Sequence, residues 1–242
     1  MEVTAQNQPI EALERLATTL QEISSFLSRH GIEKSGEISP ENREIFLSWP
    51  AERLEKTAET TNKILQVHLE AEQRVPFDID DCSHLLHLAV KSMGLSIDSS
   101  FYERVSRSDI VEIYGHDHVQ IFRSFNFFRI CSYDLDDVLS HQWFELYERD
   151  ESITNALLET WYEHVGSSRA VTQMNVAPHV MRERFSKNRN AVFMKFKYIA
   201  TIFSGPGSKD ALIVTSDVQP LGDDGAEIEF IGSKRSAGHS LT

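Results

Sequence analysis

The hydrophobic rhythm of the chain changes near residue 108, and that change limits the fold more than any motif does. Before it, apolar residues recur three and four positions apart, the repeat of one helix face; after it they recur at every second position, the repeat of a strand. Leu13, Leu16, Leu20, Ile23, Phe26 and Leu27 place one stripe along a helix predicted over 9–30, with Pro9 at its first position and Gly31 at its stop. Ser39-Pro40 reads as an N-cap and N1 proline opening a short helix that buries Ile45, Phe46 and Trp49. From Pro50 to about Glu72, Leu54, Ala58, Thr61, Leu65 and Leu69 repeat at nearly heptad intervals. A fourth helix is expected over Asp78–Met93, with Asp78, Asp80 and Asp81 at its positive end, Leu85, Leu88, Ala89 and Met93 inside, and Gly94 as its stop.

Beyond residue 108, Val111, Ile113, Val119 and Ile121 alternate with Glu112, Tyr114, Gln120 and Phe122 around Gly115-His116-Asp117-His118, which predicts a β-hairpin. Helical signals return between Asn126 and about Val165. Asp134 can cap a helix holding Leu135, Val138 and Leu139, and Ile153, Leu157, Leu158 and Trp161 form a second stripe. Strands are expected at Val171–Val176, Ala191–Phe203 and Ala211–Val218. In the long one Met194, Phe196, Tyr198, Ala200 and Ile202 share a face opposite Lys195 and Lys197, and the turn-forming residues 204–210 join it to the last. Past Pro220 the periodicity fades, although Ile228, Phe230 and Ile231 can form a short strand or dock on a partner. The expected class is α+β: an N-terminal helical region (1–98), a sheet domain (99–220) and a tail (221–242).

Composition removes several functions. Twenty-four Lys and Arg against 37 Asp and Glu leave a formal net charge of −13, which repels a nucleic-acid backbone and an anionic membrane. Cys82 and Cys131 lie far apart with no C-x-x-C spacing, so they read as two buried thiols in a reducing compartment. The first 30 residues lack the basic-then-apolar order of a signal peptide, and no apolar run approaches the roughly 18 residues a span requires. A cytoplasmic location is expected.

The order strand, strand, short helices, three strands resembles that of a PAS domain. The stretch Asn126-Phe127-Phe128-Arg129-Ile130-Cys131-Ser132-Tyr133-Asp134 is similar to the family pattern in which an Asn, a hydrophobic residue and a Gly-Tyr-Ser-like turn precede an acidic helix start, with Ser132 where a glycine is usual. Glu148-Arg149-Asp150-Glu151 stands where the family has an acidic cluster before its longest helix, and Leu212–Val218 resembles its closing strand. The resemblance covers roughly Ser99 to Pro220. It implies a five-stranded antiparallel sheet cradling short helices around a small pocket used for sensing or partner contact, with flanking helices carrying dimerisation. Phe128, Tyr133, Trp143, Phe144, Tyr147, Phe196 and Tyr198, with Phe127, can line such a pocket for a small apolar ligand or fill the core. A homodimer through the stripes at 9–30 and 50–72 is expected, with a downstream signalling protein receiving the signal. The cofactor is left unknown. An enzyme with a nuclear-transport-factor-like cone using His179, Asp150 or Tyr147, and a ligandless adaptor, are the competing readings.

Other constellations carry less. His84 and His87 are three apart on a predicted helix but no third ligand completes a metal site. His116-Asp117-His118 suits a solvated turn. His164 and His141 are the two positions considered for haem, and Cys131 lacks the Asn-Cys-Arg context of flavin photochemistry. G-x-S-x-G, G-x-x-x-x-G-K-[ST], G-x-G-x-x-G and H-E-x-x-H do not occur, Gly205–Lys209 lies between two strands, and Asp136-Asp137 and Asp223-Asp224 are adjacent carboxylates unsuited to act across a substrate, so no enzyme is expected. The basic run Met181–Arg189 suits a solvated loop or strand edge.

Overall fold

A computed structural model describes residues 3–74, 77–115, 118, 120–167, 169–203 and 211–221. The turn at His116, Asp117 and Val119, the loop 204–210, and the strand expected around Ile228–Ile231 lie outside the described residues in whole or in part. The fold is α+β, a helical layer packed on a curled antiparallel sheet.

The layer contains α1 (Val3–Arg29), α2 (Pro40–Ser48), α3 (Ala51–Glu72) and α4 (Cys82–Ser92). α1 begins at Val3 and runs through Pro9 instead of starting there. It stops where Gly31 takes φ +72°, and Gly94, at φ +66°, ends α4 the same way. Ser39 caps α2 by accepting from the Asn42 N–H at 3.2 Å, with Pro40 at N1. Asp81 caps α4, so that helix starts three or four residues later than the charges at 78–81 imply. The stripes of α1 and α3 close on each other within one chain: Leu13, Leu16, Leu20, Leu54, Ala58 and Leu65 are all buried. The wet seam that argues for a homodimer is therefore covered without a second copy.

The sheet is ordered β3-β2-β8-β7-β6-β4, all antiparallel, from β2 (Ile110–Gly115), β3 (Gln120–Arg123), β4 (Tyr147–Glu148), β6 (His179–Glu183), β7 (Ala191–Phe203) and β8 (Ala211–Pro220). β1 (Ser96–Ile97) and β5 (Val171–Gln173) pair with the rest of β7's outer edge. The described residues form eight strands against the five expected: β5 occupies the first half of 171–176, and β6 is a further strand between it and β7's start. β6 overlaps the start of the basic run at Met181–Glu183 and pairs with Ala191–Met194, while 184–189 leave the sheet as the expected loop. Glu183, fully buried, holds its end by accepting from the N–H groups of Ser132 (2.8 Å) and Asn190 (3.2 Å) and from the hydroxyls of Ser132 and Ser186. Between β3 and β6 run α5's later counterparts: a 3-10 turn (Phe125–Arg129), α6 (Leu135–Ser140) and α7 (Glu151–Gly166), α5 itself being Ser99–Tyr102.

Two bulges redirect the faces. β3 carries Ile121 as an extra residue, since Ile113 pairs with Phe122 and Tyr114 with Gln120. Phe122 consequently shares the face of Ile113, and Arg123 takes the face of Glu112. β7 carries Lys197 as an extra residue, since Phe196 pairs with Ser216 and Tyr198 with Thr215. Phe196 and Tyr198 therefore lie on opposite faces, and the uninterrupted alternation expected over 194–202 is broken at its centre.

Candidate functional site

A cavity of about 50 Å³ lies between the inner face of the sheet and α7. Ile110, Glu112 and Tyr114 reach it from β2, Arg123 from β3, Phe196 and Met194 from β7, and Val214 from β8. Leu157 and Trp161, one turn apart on α7, cover it from the other side; Trp143, Leu146, Tyr147 and Arg149 form a rim, and Met174 and Met181 close the end. The walls are mostly apolar.

Glu112, Tyr114 and Arg123 interrupt them as a cluster, which Gln120 joins from outside the cavity. Glu112 and Arg123 face each other across the hairpin and form an ion pair with both side chains buried. Tyr114 Oη donates to Glu112 Oε1 at 2.7 Å, and Gln120 Nε2 donates to the same oxygen at 3.3 Å and to Tyr114 Oη at 3.1 Å. Arg123 lies flat on Phe127, 3.9 Å from the ring centre, with Nη2 3.4 Å from Tyr114 Oη. Its Nε and Nη1 are buried and donate to nothing among the described residues. Burial pulls the Arg123 pKa down, but Glu112 and Tyr114 reverse this and leave it raised. Burial pushes the Tyr114 phenol well up, so it stays a donor.

Arg149 is the second cation. Its Nη2 reaches the Trp143 carbonyl at 3.4 Å, and its guanidinium lies 5.6 and 5.9 Å from the Trp143 and Tyr147 ring centres. Nε and Nη1 are buried without a partner, and no carboxylate among the described residues pairs with it. Burial lowers its pKa, although a guanidinium remains charged at neutral pH.

Of the eight aromatic residues expected to line a pocket, Phe127, Trp143, Tyr147 and Phe196 do. Phe128 packs edge-on with Phe125 and Phe127 toward the helical layer. Tyr133 is core: its hydroxyl binds the Leu146 carbonyl and accepts from the Arg184 N–H at 3.0 Å. Phe144 packs edge-on against Trp143 outside the wall, and Tyr198, turned away by the Lys197 bulge, lies under Arg104. Glu112, Arg123 and Arg149 escaped the sequence reading. The signal was present only as a Glu alternating with Tyr in a hairpin, which reads as a solvent face until a second layer covers it.

His179, Asp150 and Tyr147 do not converge. Asp150 is an exposed cap of α7, accepting from the Ser152 N–H at 2.8 Å, whereas His179 is buried, stacked on Phe196 and donating through Nδ1 to the Ala177 carbonyl. Both nitrogens of His164 engage threonine hydroxyls, Thr172 at 2.9 Å and Thr201 at 3.1 Å, and His141 stacks on Phe185. His84 and His87 are exposed on α4, and no three His, Cys, Asp or Glu among the described residues converge on a metal geometry. Cys82 and Cys131 are free and buried, and burial pushes each thiol up to about 12, so neither is a ready nucleophile. No helix among the described residues is long and apolar enough to cross a membrane. No family model and no curated protein matches the chain.

Proposed function

We propose that the chain is a PAS-type sensory or protein-interaction module that takes a small molecule into the cavity and passes the change through protein contacts to a downstream signalling protein. One observation carries the reading. Tyr114, Arg123, Trp143 and Leu146 line the cavity and also a second cleft, whose other wall is Trp49, Arg53 and Thr57 of the helical layer. A ligand that shifts Trp143 or Leu146 alters the surface that faces α3 across the second cleft. Such a ligand moves the α1–α3 pair by as much as it discriminates between the two arrangements. The order of hairpin, short helices and antiparallel run supports the family reading, and two buried thiols suit the reducing cytoplasm. Any homodimer uses surface other than the closed α1–α3 seam.

The test is backbone hydrogen exchange on the full chain, with and without compounds that quench or shift tryptophan emission. Trp49, Trp143 and Trp161, the three tryptophans of the sequence, all line the two clefts. Binding is expected to change protection across 51–72. A bound compound that leaves those amides unchanged removes the signalling route.

A further inference from the structure

We infer that the cavity is a carboxylate site: it holds a small monoanion with a short apolar tail, its charge taken by Arg149 and the free donors of Arg123. The inference deepens the ligand-sensing reading and rests on it. Glu112 contributes one negative charge to the lining and Arg123 and Arg149 two positive charges, so one cation, the half-buried Arg149, stands without a carboxylate among the described residues. A buried unpaired charge is costly, and an anion that pairs with it removes that cost. The donors are also in place. Four guanidinium nitrogens, Nε and Nη1 of each arginine, are enclosed and unused, and charge-assisted bonds to a carboxylate are the strong class of hydrogen bond.

Arg123 is locked before any ligand arrives, because Glu112 and Tyr114 hold one nitrogen while Phe127 supports its flat face. The Ser216 hydroxyl, on the sheet face shared by Ile110 and Phe196, is likewise buried and unpartnered. A dianion such as phosphate would overshoot the single surplus charge, and a neutral ligand would leave it. Size limits the tail: about 50 Å³ here is about a third of the roughly 150 Å³ that accommodates the six carbons of a benzene, so a carboxylate with even a short tail requires the walls to yield. Met174, Met181 and Met194 are the walls best able to yield. Met174 and Phe196 also border a groove of about 460 Å³ along 173–178, the side from which such a molecule can enter.

The experiment is a tryptophan-emission titration of the full chain with sodium butyrate, set beside 1-butanol, inorganic phosphate, and sodium chloride at matched ionic strength. Saturable binding is expected for butyrate and for none of the other three. Arg149→Met, which breaks no ion pair, is expected to keep its circular dichroism and to weaken butyrate by at least about tenfold, the size of one lost charged hydrogen bond. Butanol binding as well as butyrate, unchanged affinity in Arg149→Met, or no saturation across acetate to hexanoate and benzoate would each overturn the inference. The parent reading fails separately: butyrate that binds without altering exchange at 51–72 ends the signalling route and leaves the carboxylate site, whereas butanol that binds and alters exchange does the reverse.

Discussion

In the helical layer, Asn42 donates to Asp136 at 2.8 Å and Asp137 at 2.9 Å and accepts from Ser140 at 2.8 Å, while the buried Thr57 and Thr61 hydroxyls return to carbonyls one turn back. In the sheet half, Arg123, Asn126, Arg149, His179, Thr215 and Ser216 all bury atoms without a partner among the described residues. Burial of polar groups is thus complete around Asn42 and the threonines of α3, whereas the unmet groups gather on the cavity side of the sheet, at Arg123, Arg149 and Ser216, with Asn126 in the 3-10 turn and Thr215 on the opposite face as exceptions. Among the described residues the one orphan on the helical side is Nε of Arg53, a residue that lines the adjoining cleft. Natively, an unsatisfied buried donor is unusual enough to ask what would satisfy it. The contrast separates a region organised for stability from one organised for binding.

Substitutions can break that contrast. The largest loss is expected from Glu112→Leu, which strands Arg123 as an uncompensated buried cation and costs about 3–5 kcal/mol of unfolding free energy, read by urea denaturation. His68 supplies the next effect. Its ring is fully buried against Phe125, Nδ1 donates to the Ile64 carbonyl at 2.8 Å and Nε2 accepts the Phe125 N–H at 3.3 Å, an arrangement only the neutral ring can make. Burial lowers its pKa from 6.5 to about 4. With the folded value below the unfolded one, its contribution is whole above about pH 6.5 and is lost as pH falls toward 4. A loss of about 3 kcal/mol over that window is expected, and a His68→Gln variant should flatten the pH dependence.

Asn42→Ala, which leaves Asp136 and Asp137 without their shared donor, is expected to cost about 2 kcal/mol by the same denaturation. The smallest effect has the opposite sign. Arg149→Met removes a half-buried charge that no carboxylate among the described residues balances and is expected to raise stability by about 1 kcal/mol. A loss there instead would dissolve the distinction between the two halves.

Much of the helical layer was legible because its cues are local. Ser39-Pro40, Gly31 and Gly94 act through their own backbone angles, and a stripe such as Leu13–Leu27 has the same period whatever it packs against. The start of α1 was misread because Pro9 is tolerated inside it, and that of α4 because three aspartates compete for one cap. The sheet was legible as strands but not as faces. One inserted residue at Ile121 and another at Lys197 reverse everything beyond them, and a period-two pattern has no means of marking where a partner strand skips a residue. That is how Tyr198 left the expected pocket and Arg123 entered it.

The stripes and stops of the helices, the change to strands near residue 108 and the α+β class were determined by the amino-acid sequence alone, since each follows from spacing and backbone chemistry within a few residues. Which strands neighbour each other, which side of β2 is covered by α7, and the meeting of Arg123 with Arg149 across an apolar space were decided only by tertiary structure. Burial is a property of what lies opposite a side chain, and for Glu112, Arg123 and Arg149 what lies opposite is far away in sequence.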